Sequence, residues 1–104
     1  LQIQINTDNT IDGNQSLKIK VLEIVEHHLS RFGDRITRIE VHLQDENAQK
    51  GGRDIRCRIE ARVAGLQPMT VDDLAEDWER ASRGASAKMV RVLETRFGKM
   101  GRTN

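Results

Sequence analysis

A chain of 104 residues suits one domain, and at that size burial of apolar surface can hold a fold without staples. The formal charge of +1 is too close to neutral to mark a nucleic-acid binder, so any such role must come from how charge is distributed. A single cysteine excludes an internal disulfide, no apolar run reaches the length of a membrane span, and the opening residues do not form a signal-peptide core; a soluble protein of a reducing cytoplasm is expected.

Leu1, Ile3 and Ile5 alternate with Gln2, Gln4 and Asn6, which predicts a first strand closed by the polar residues Thr7 to Thr10. From Ser16, read as an N-cap, the residues Leu17, Val21, Ile24, Val25, Leu29 and Phe32 recur at helical spacing, and Gly33 ends that helix. Ile39, Val41 and Leu43, then Ile55, Cys57, Ile59, Ala61 and Val63, occupy every second position, the period of strands with one buried face. Cys57 is thereby placed in the core. The opposite face carries Arg38, His42, Arg56, Arg58 and Arg62. Between these strands the polar segment Asp45 to Arg53, with Gly51 and Gly52, predicts an antiparallel hairpin with a long loop.

Leu66 to Val71 contains the only proline, Pro68, and reads as an edge strand. A second helix is expected from Asp72 or Asp73, with a buried stripe of Leu74, Trp78, Ala81, Ala85, Met89, Leu93 and Phe97 and a stop at Gly98. Gly84 within it costs about 1 kcal/mol relative to alanine, which close packing on the sheet would explain, with a flexible hinge as the alternative. The fold class is therefore α+β: one βαβββα domain over residues 1–104, a four-stranded sheet with two helices on its apolar face and its arginine face open.

The second helix divides by charge. Asp72, Asp73, Glu76, Asp77 and Glu79 open it, and Arg80, Arg83, Lys88, Arg91, Arg96, Lys99 and Arg102 follow, interrupted only by Glu94. The helix dipole favours this order but acts only over about the last turn, which leaves Arg80, Arg83 and Lys88 unexplained. Lys20, His27 and Arg31 share one side of the first helix. The candidate RNA-binding set is therefore Lys88, Arg91, Arg83, Arg80 and Arg96 on the second helix, Lys20 and Arg31 on the first, and Arg56 and Arg58 on the sheet. A solvated surface is the competing reading for each; on the sheet, Glu60 among the arginines makes the mixture equally suited to plain solubility. Trp78, Phe32 and Phe97 fall on apolar stripes and belong to the core, so recognition would run through phosphates and shape.

Other chemistries lack their residues. His42 and Cys57 point to opposite sheet faces, the adjacent His27 and His28 do not share a helix face, and no nucleophile with its base or glycine-rich phosphate loop occurs. No enzyme, metal, cofactor or small-molecule substrate is expected.

The alternating opening strand, the helix ending Leu29-Ser30-Arg31-Phe32-Gly33-Asp34-Arg35-Ile36, the strand Ile39 to Leu43 and the late-helix segment Lys88 to Leu93 together resemble the hibernation-promoting factor and ribosome-associated inhibitor A family. Asp45 to Ala48 and Gly51 to Cys57 are similar to its short proteobacterial members. The resemblance covers nearly the whole chain. It implies a fold like that of double-stranded-RNA-binding domains, lodged on the small ribosomal subunit near the decoding centre, with translation blocked by occupancy. It also puts Lys88 and Arg91 at RNA-contacting positions. The sequence ends soon after the second helix, without the dimerisation domain of the long forms, and Gly98 to Asn104 is not the acidic extension of some inhibitor-type members. A short-form protein, monomeric when free, is expected. Where family members place lysines along the first helix, this chain has Glu23, Glu26, His27 and His28. The alternative from another class is a protein-interaction module that pairs the Leu66 to Val71 edge with a partner's strand; Pro68 counts against it.

Overall fold

Period-two alternation and two amphipathic stripes produce the expected order of elements. The computed structural model describes residues 1–8, 15–47 and 54–101, with side chains as far as Gly98. The elements are β1 (Gln2–Thr7), α1 (Gln15–Leu29), a 3-10 segment (Ser30–Arg35), β2 (Ile36–Asp45), β3 (Ile55–Val63), β4 (Met69–Ala75) and α2 (Trp78–Gly101). They form one sheet in the order β1-β2-β3-β4. β1 runs parallel to β2, and the other neighbours are antiparallel. A parallel pair needs a crossover, and α1 supplies it.

Register stacks the apolar positions on one face. Val41 lies opposite Ile59 and Leu43 opposite Cys57, while Ile59 in turn faces Val71. Ile39, Val41, Leu43, Cys57, Ile59 and Ala61 are all buried beneath Val21, Val25 and Leu29 of α1 and Ala81, Ala85, Met89 and Leu93 of α2. α1 packs against β1 and α2, and α2 covers β3 and β4. The open face carries mainly polar and charged side chains. Burial pushes the Cys57 thiol up to about 12, against a smaller opposing effect of its hydrogen bond with Ser82. Such a thiol is a core group and not a nucleophile.

α2 meets the sheet through small residues. An added Cβ at Gly84 would overlap the carboxylate of Asp73 on β4, so the glycine marks the expected close approach. Ser82 Oγ donates to the Trp78 carbonyl at 2.7 Å, whereas the buried Ser86 hydroxyl has no partner among the described residues.

The boundaries around β4 differ from expectation. Asp72 and Asp73 do not open a helix; they pair with Arg58 and Cys57 of β3, and β4 continues to Ala75. β3 is nine residues long and offers backbone groups that need partners, and this outweighs the poor strand propensity of two aspartates. Leu74 consequently points outward at 45% exposure instead of joining the helical stripe. Pro68 precedes the strand and takes no place in its ladder. α2 starts after Asp77, whose Oδ1 accepts from the Arg80 N–H at 2.7 Å as an N-cap. It passes Gly98 and ends at Gly101.

Two features of α1 also shift. Its helix already includes Gln15, so Ser16 lies inside it and is not the N-cap. The α-helix ends at Leu29 and the chain tightens into a 3-10 segment, where Gly33 at φ 56° and ψ −134° makes the turn towards β2. The expected Gly51-Gly52 turn lies outside the described residues.

Candidate nucleic-acid interface

The end of α1 and the 3-10 segment that follows it lie alongside the second half of α2. Arg31 pairs with Glu94 at 2.9 Å, the Phe32 and Phe97 rings meet at 5.7 Å between centroids, and the Arg35 guanidinium stands 4.6 Å over Phe97. These contacts hold two helices together where both approach their C-terminal ends, the partially negative ends of their dipoles. A groove of about 400 Å³ runs between them, lined by His27, His28, Arg31, Val90, Arg91 and Glu94. His28 Nδ1 donates to the Ile24 carbonyl at 2.8 Å, which orients that ring. Beside it, Arg91, Val92, Thr95 and Arg96 enclose a second hollow of about 350 Å³.

The predicted cations are not equivalent. Arg80 pairs with Glu76 at 3.5 Å and Asp77 at 3.7 Å, and Arg83 with Glu79 at 3.7 Å. Lys88 reaches back to β4, where its ammonium meets Asp73 Oδ1 at 2.9 Å and donates to the Asp72 carbonyl at 2.8 Å. Its position three residues from Arg91 therefore does not make the two side chains act on one target. Arg91 and Arg96 are exposed and have no acidic partner among the described residues, and the same holds for Lys20 on α1. Glu94, the one acid between the two arginines, is engaged by Arg31. The side chains of Lys99 and Arg102 lie outside the described residues.

On the open sheet face, neighbouring strands place outward residues in rows. Glu40 lies directly opposite Glu60, and each is neutralised along its own strand, by Arg38 at 3.1 Å and Arg62 at 3.5 Å. Arg56 is clamped between Glu46 and Asp72, the latter at 3.2 Å. The Arg56 hydrogen bond holds the Glu46 carboxyl below its ordinary value, and the same bond raises Arg56. Arg58 is the exception: it sits opposite Asp72 in register, but that carboxylate is turned to Arg56, and the Arg58 side chain has no partner among the described residues.

Sequence reasoning thus found the cations and missed the acids that neutralise them. The Glu76–Arg80 and Glu79–Arg83 pairs were available from four-residue spacing. The Asp73–Lys88 pair was not, because it requires Asp73 to be on a strand. Among the described residues, no cluster of three or more His, Cys, Asp or Glu could hold a metal ion, and no helix is long and apolar enough to cross a membrane.

The fold defines an α+β domain with a four-stranded sheet and two helices on one face. It is similar to the structure of a ribosomal subunit interface protein from Coxiella burnetii, with a TM-score of 0.78, 12% identity, and coverage of 94% of this chain and 99% of that one. It is also similar to the Protein Y N-terminal domain of Thermus thermophilus, with a TM-score of 0.73, 14% identity, and coverage of 91% and 98%. Both belong to the hibernation-promoting factor family, so the fold implied by the sequence resemblance is the fold found. At these identities the likeness is one of fold. No family model and no curated protein matches the chain.

Proposed function

We propose that this domain is a ribosome-associated translation inhibitor that binds the small subunit near the decoding centre in the bacterial cytoplasm, through contacts to ribosomal RNA backbone. The supporting observation is the pair of unneutralised arginines, Arg91 and Arg96, beside an interhelical groove on a fold shared with a ribosomal subunit interface protein. Exposed guanidinium groups with no aromatic platform suit phosphates in a fixed geometry better than base sequence. Lys20 extends this surface from α1, while Arg80, Arg83 and Lys88 serve the fold. Inhibition then follows from occupancy, with no chemistry, cofactor or small-molecule substrate, and the free protein is a monomer.

The interaction-module reading is disfavoured by one contact. β4 is an edge strand, but the Lys88 ammonium already occupies the Asp72 carbonyl. A charged side chain on an edge is a usual barrier to strand addition. Co-sedimentation of the purified protein with separated ribosomal subunits, with cell-free translation read in parallel, tests the proposal. Selective association with the small subunit and dose-dependent inhibition are expected; indifference to both subunits would overturn it.

A further inference from the structure

The sheet face away from the helices holds a depression of about 280 Å³ where β1 ends, lined by Asn6, Thr7, Asp8, His42, Gln44 and Arg58, with Leu43 and Arg56 completing it. Its central row runs Asn6, His42, Arg58 across three adjacent strands. Gln44 stands on the next row, opposite Arg56.

The chemistry of this lining differs from that of the helical groove. Arg56 is occupied by Glu46 and Asp72, so one guanidinium, that of Arg58, is available, and carboxylates stand close by. A phosphate there would gain one cation and face those acids at short range, which makes a simple anion site a poor fit. Apart from the Asp8 carboxylate at one end, the remaining polar groups are uncharged or planar. Asn6 Oδ1 accepts from Gln4 Nε2 at 3.1 Å, which leaves the Asn6 amide nitrogen to donate. The Gln44 amide can donate and accept, and the His42 ring and Arg58 guanidinium are flat groups side by side on adjacent strands. A flat ligand that is neutral overall, with donors and acceptors on its edge, matches this set: a guanidinium or imidazole stacks on its face and amides read its rim.

We infer that this depression binds one unpaired nucleobase of single-stranded RNA. The source of the ligand rests on the ribosome-binding reading, but the site is separate from Arg91 and Arg96 and lies on the other side of the sheet. The domain then holds RNA by two means, backbone charge on the helical side and one base on the sheet side.

The test uses the full chain, labelled for NMR, titrated with short single-stranded RNA homopolymers and with an abasic ribose-phosphate strand of the same length. Shifts at the side chains of Asn6, Gln44 and Arg58 are expected with base-bearing strands and not with the abasic one. Arg58→Gln and, separately, Gln44→Ala should each weaken that binding about tenfold, the size of one good side-chain contact to a base. Arg62→Gln, further along the same face, should leave it unchanged. Equal shifts with the abasic strand would make this a plain anion site and overturn the inference, as would no shift with any strand. Subunit binding lost in Arg91→Glu/Arg96→Glu but unaffected by Arg58→Gln, with no base-dependent shifts, would defeat the base site alone. Base-dependent shifts without subunit binding would defeat the ribosomal reading instead.

Discussion

The two halves of α2 carry similar numbers of cations and present different surfaces. In the first half, Arg80, Arg83 and Lys88 each meet a carboxylate, from Glu76 and Asp77, from Glu79, and from Asp73 respectively. In the second half, Arg91 and Arg96 meet none among the described residues, because Glu94 is held by Arg31. A basic stretch in sequence is thus not a basic surface. What a phosphate would encounter depends on where the acids fold to, and here they gather at the start of α2 and along β4.

That contrast yields separable predictions. The largest effect on stability is expected at Gly84. Gly84→Ala forces Asp73 away from Lys88 and should destabilise by about 2 kcal/mol, within the range for overpacking a tight contact. In an Asp73→Ala background the same change should become neutral or stabilising by up to about 1 kcal/mol, since alanine is the better helix former. Urea unfolding of the four proteins reads this cycle; a Gly84→Ala cost independent of Asp73 would refute the proposed contact.

Next comes Lys88. Lys88→Glu removes its ion pair and places a third acid beside Asp72 and Asp73, for an expected loss of about 1–2 kcal/mol, whereas Arg91→Glu should stay within about 0.5 kcal/mol. Equal thermal stability of the two variants would erase the distinction between the halves.

The core beneath α2 adds a pH dependence. Cys57 keeps its proton in the folded state up to about 12, above its ordinary value of 9.0, so the unfolded chain loses that proton first. Stability should therefore be unaffected by this group below about pH 9 and fall between there and about 12, by at most about 1.4 kcal/mol per pH unit. Cys57→Ala should lack this component of the alkaline decline. An identical slope in both proteins, read from urea midpoints, would argue against burial of the thiol beneath α2.

The smallest effect is expected for Arg80→Glu/Arg83→Glu. Each reversal sets like charges one helical turn apart, worth a few tenths of a kcal/mol per pair, on the order of 0.2–0.5. Circular dichroism melting should show a correspondingly small shift, and RNA binding should not change.

How far the sequence was legible depended on whether a signal was local. Alternation from Ile39 to Leu43 and from Ile55 to Val63 determined both the buried face and the register that exposes Arg58. The α1 stripe was equally plain, and all of Leu17, Val21, Ile24, Val25 and Leu29 are buried. The β4 to α2 boundary was not, because Asp72 and Asp73 resemble a helix start and only pairing with β3 makes them strand. That one error concealed the Asp73–Lys88 pair and made Lys88 look available. The free state of Arg58 was hidden in the same way, since it depends on Asp72 turning to Arg56.

The central claim is that Arg91 and Arg96, and not the earlier cations of α2, face RNA phosphates. Small-subunit binding should be measured across a salt series for the unmodified protein, Arg91→Glu/Arg96→Glu and Arg80→Glu/Arg83→Glu. If each of the two later arginines neutralises one phosphate, their reversal should lower the steepness of log K against log salt by roughly 1.4–1.8 and weaken binding, while the earlier pair should leave slope and affinity in place. A reduced slope in the Arg80/Arg83 variant together with an unchanged one in the Arg91/Arg96 variant would contradict the account.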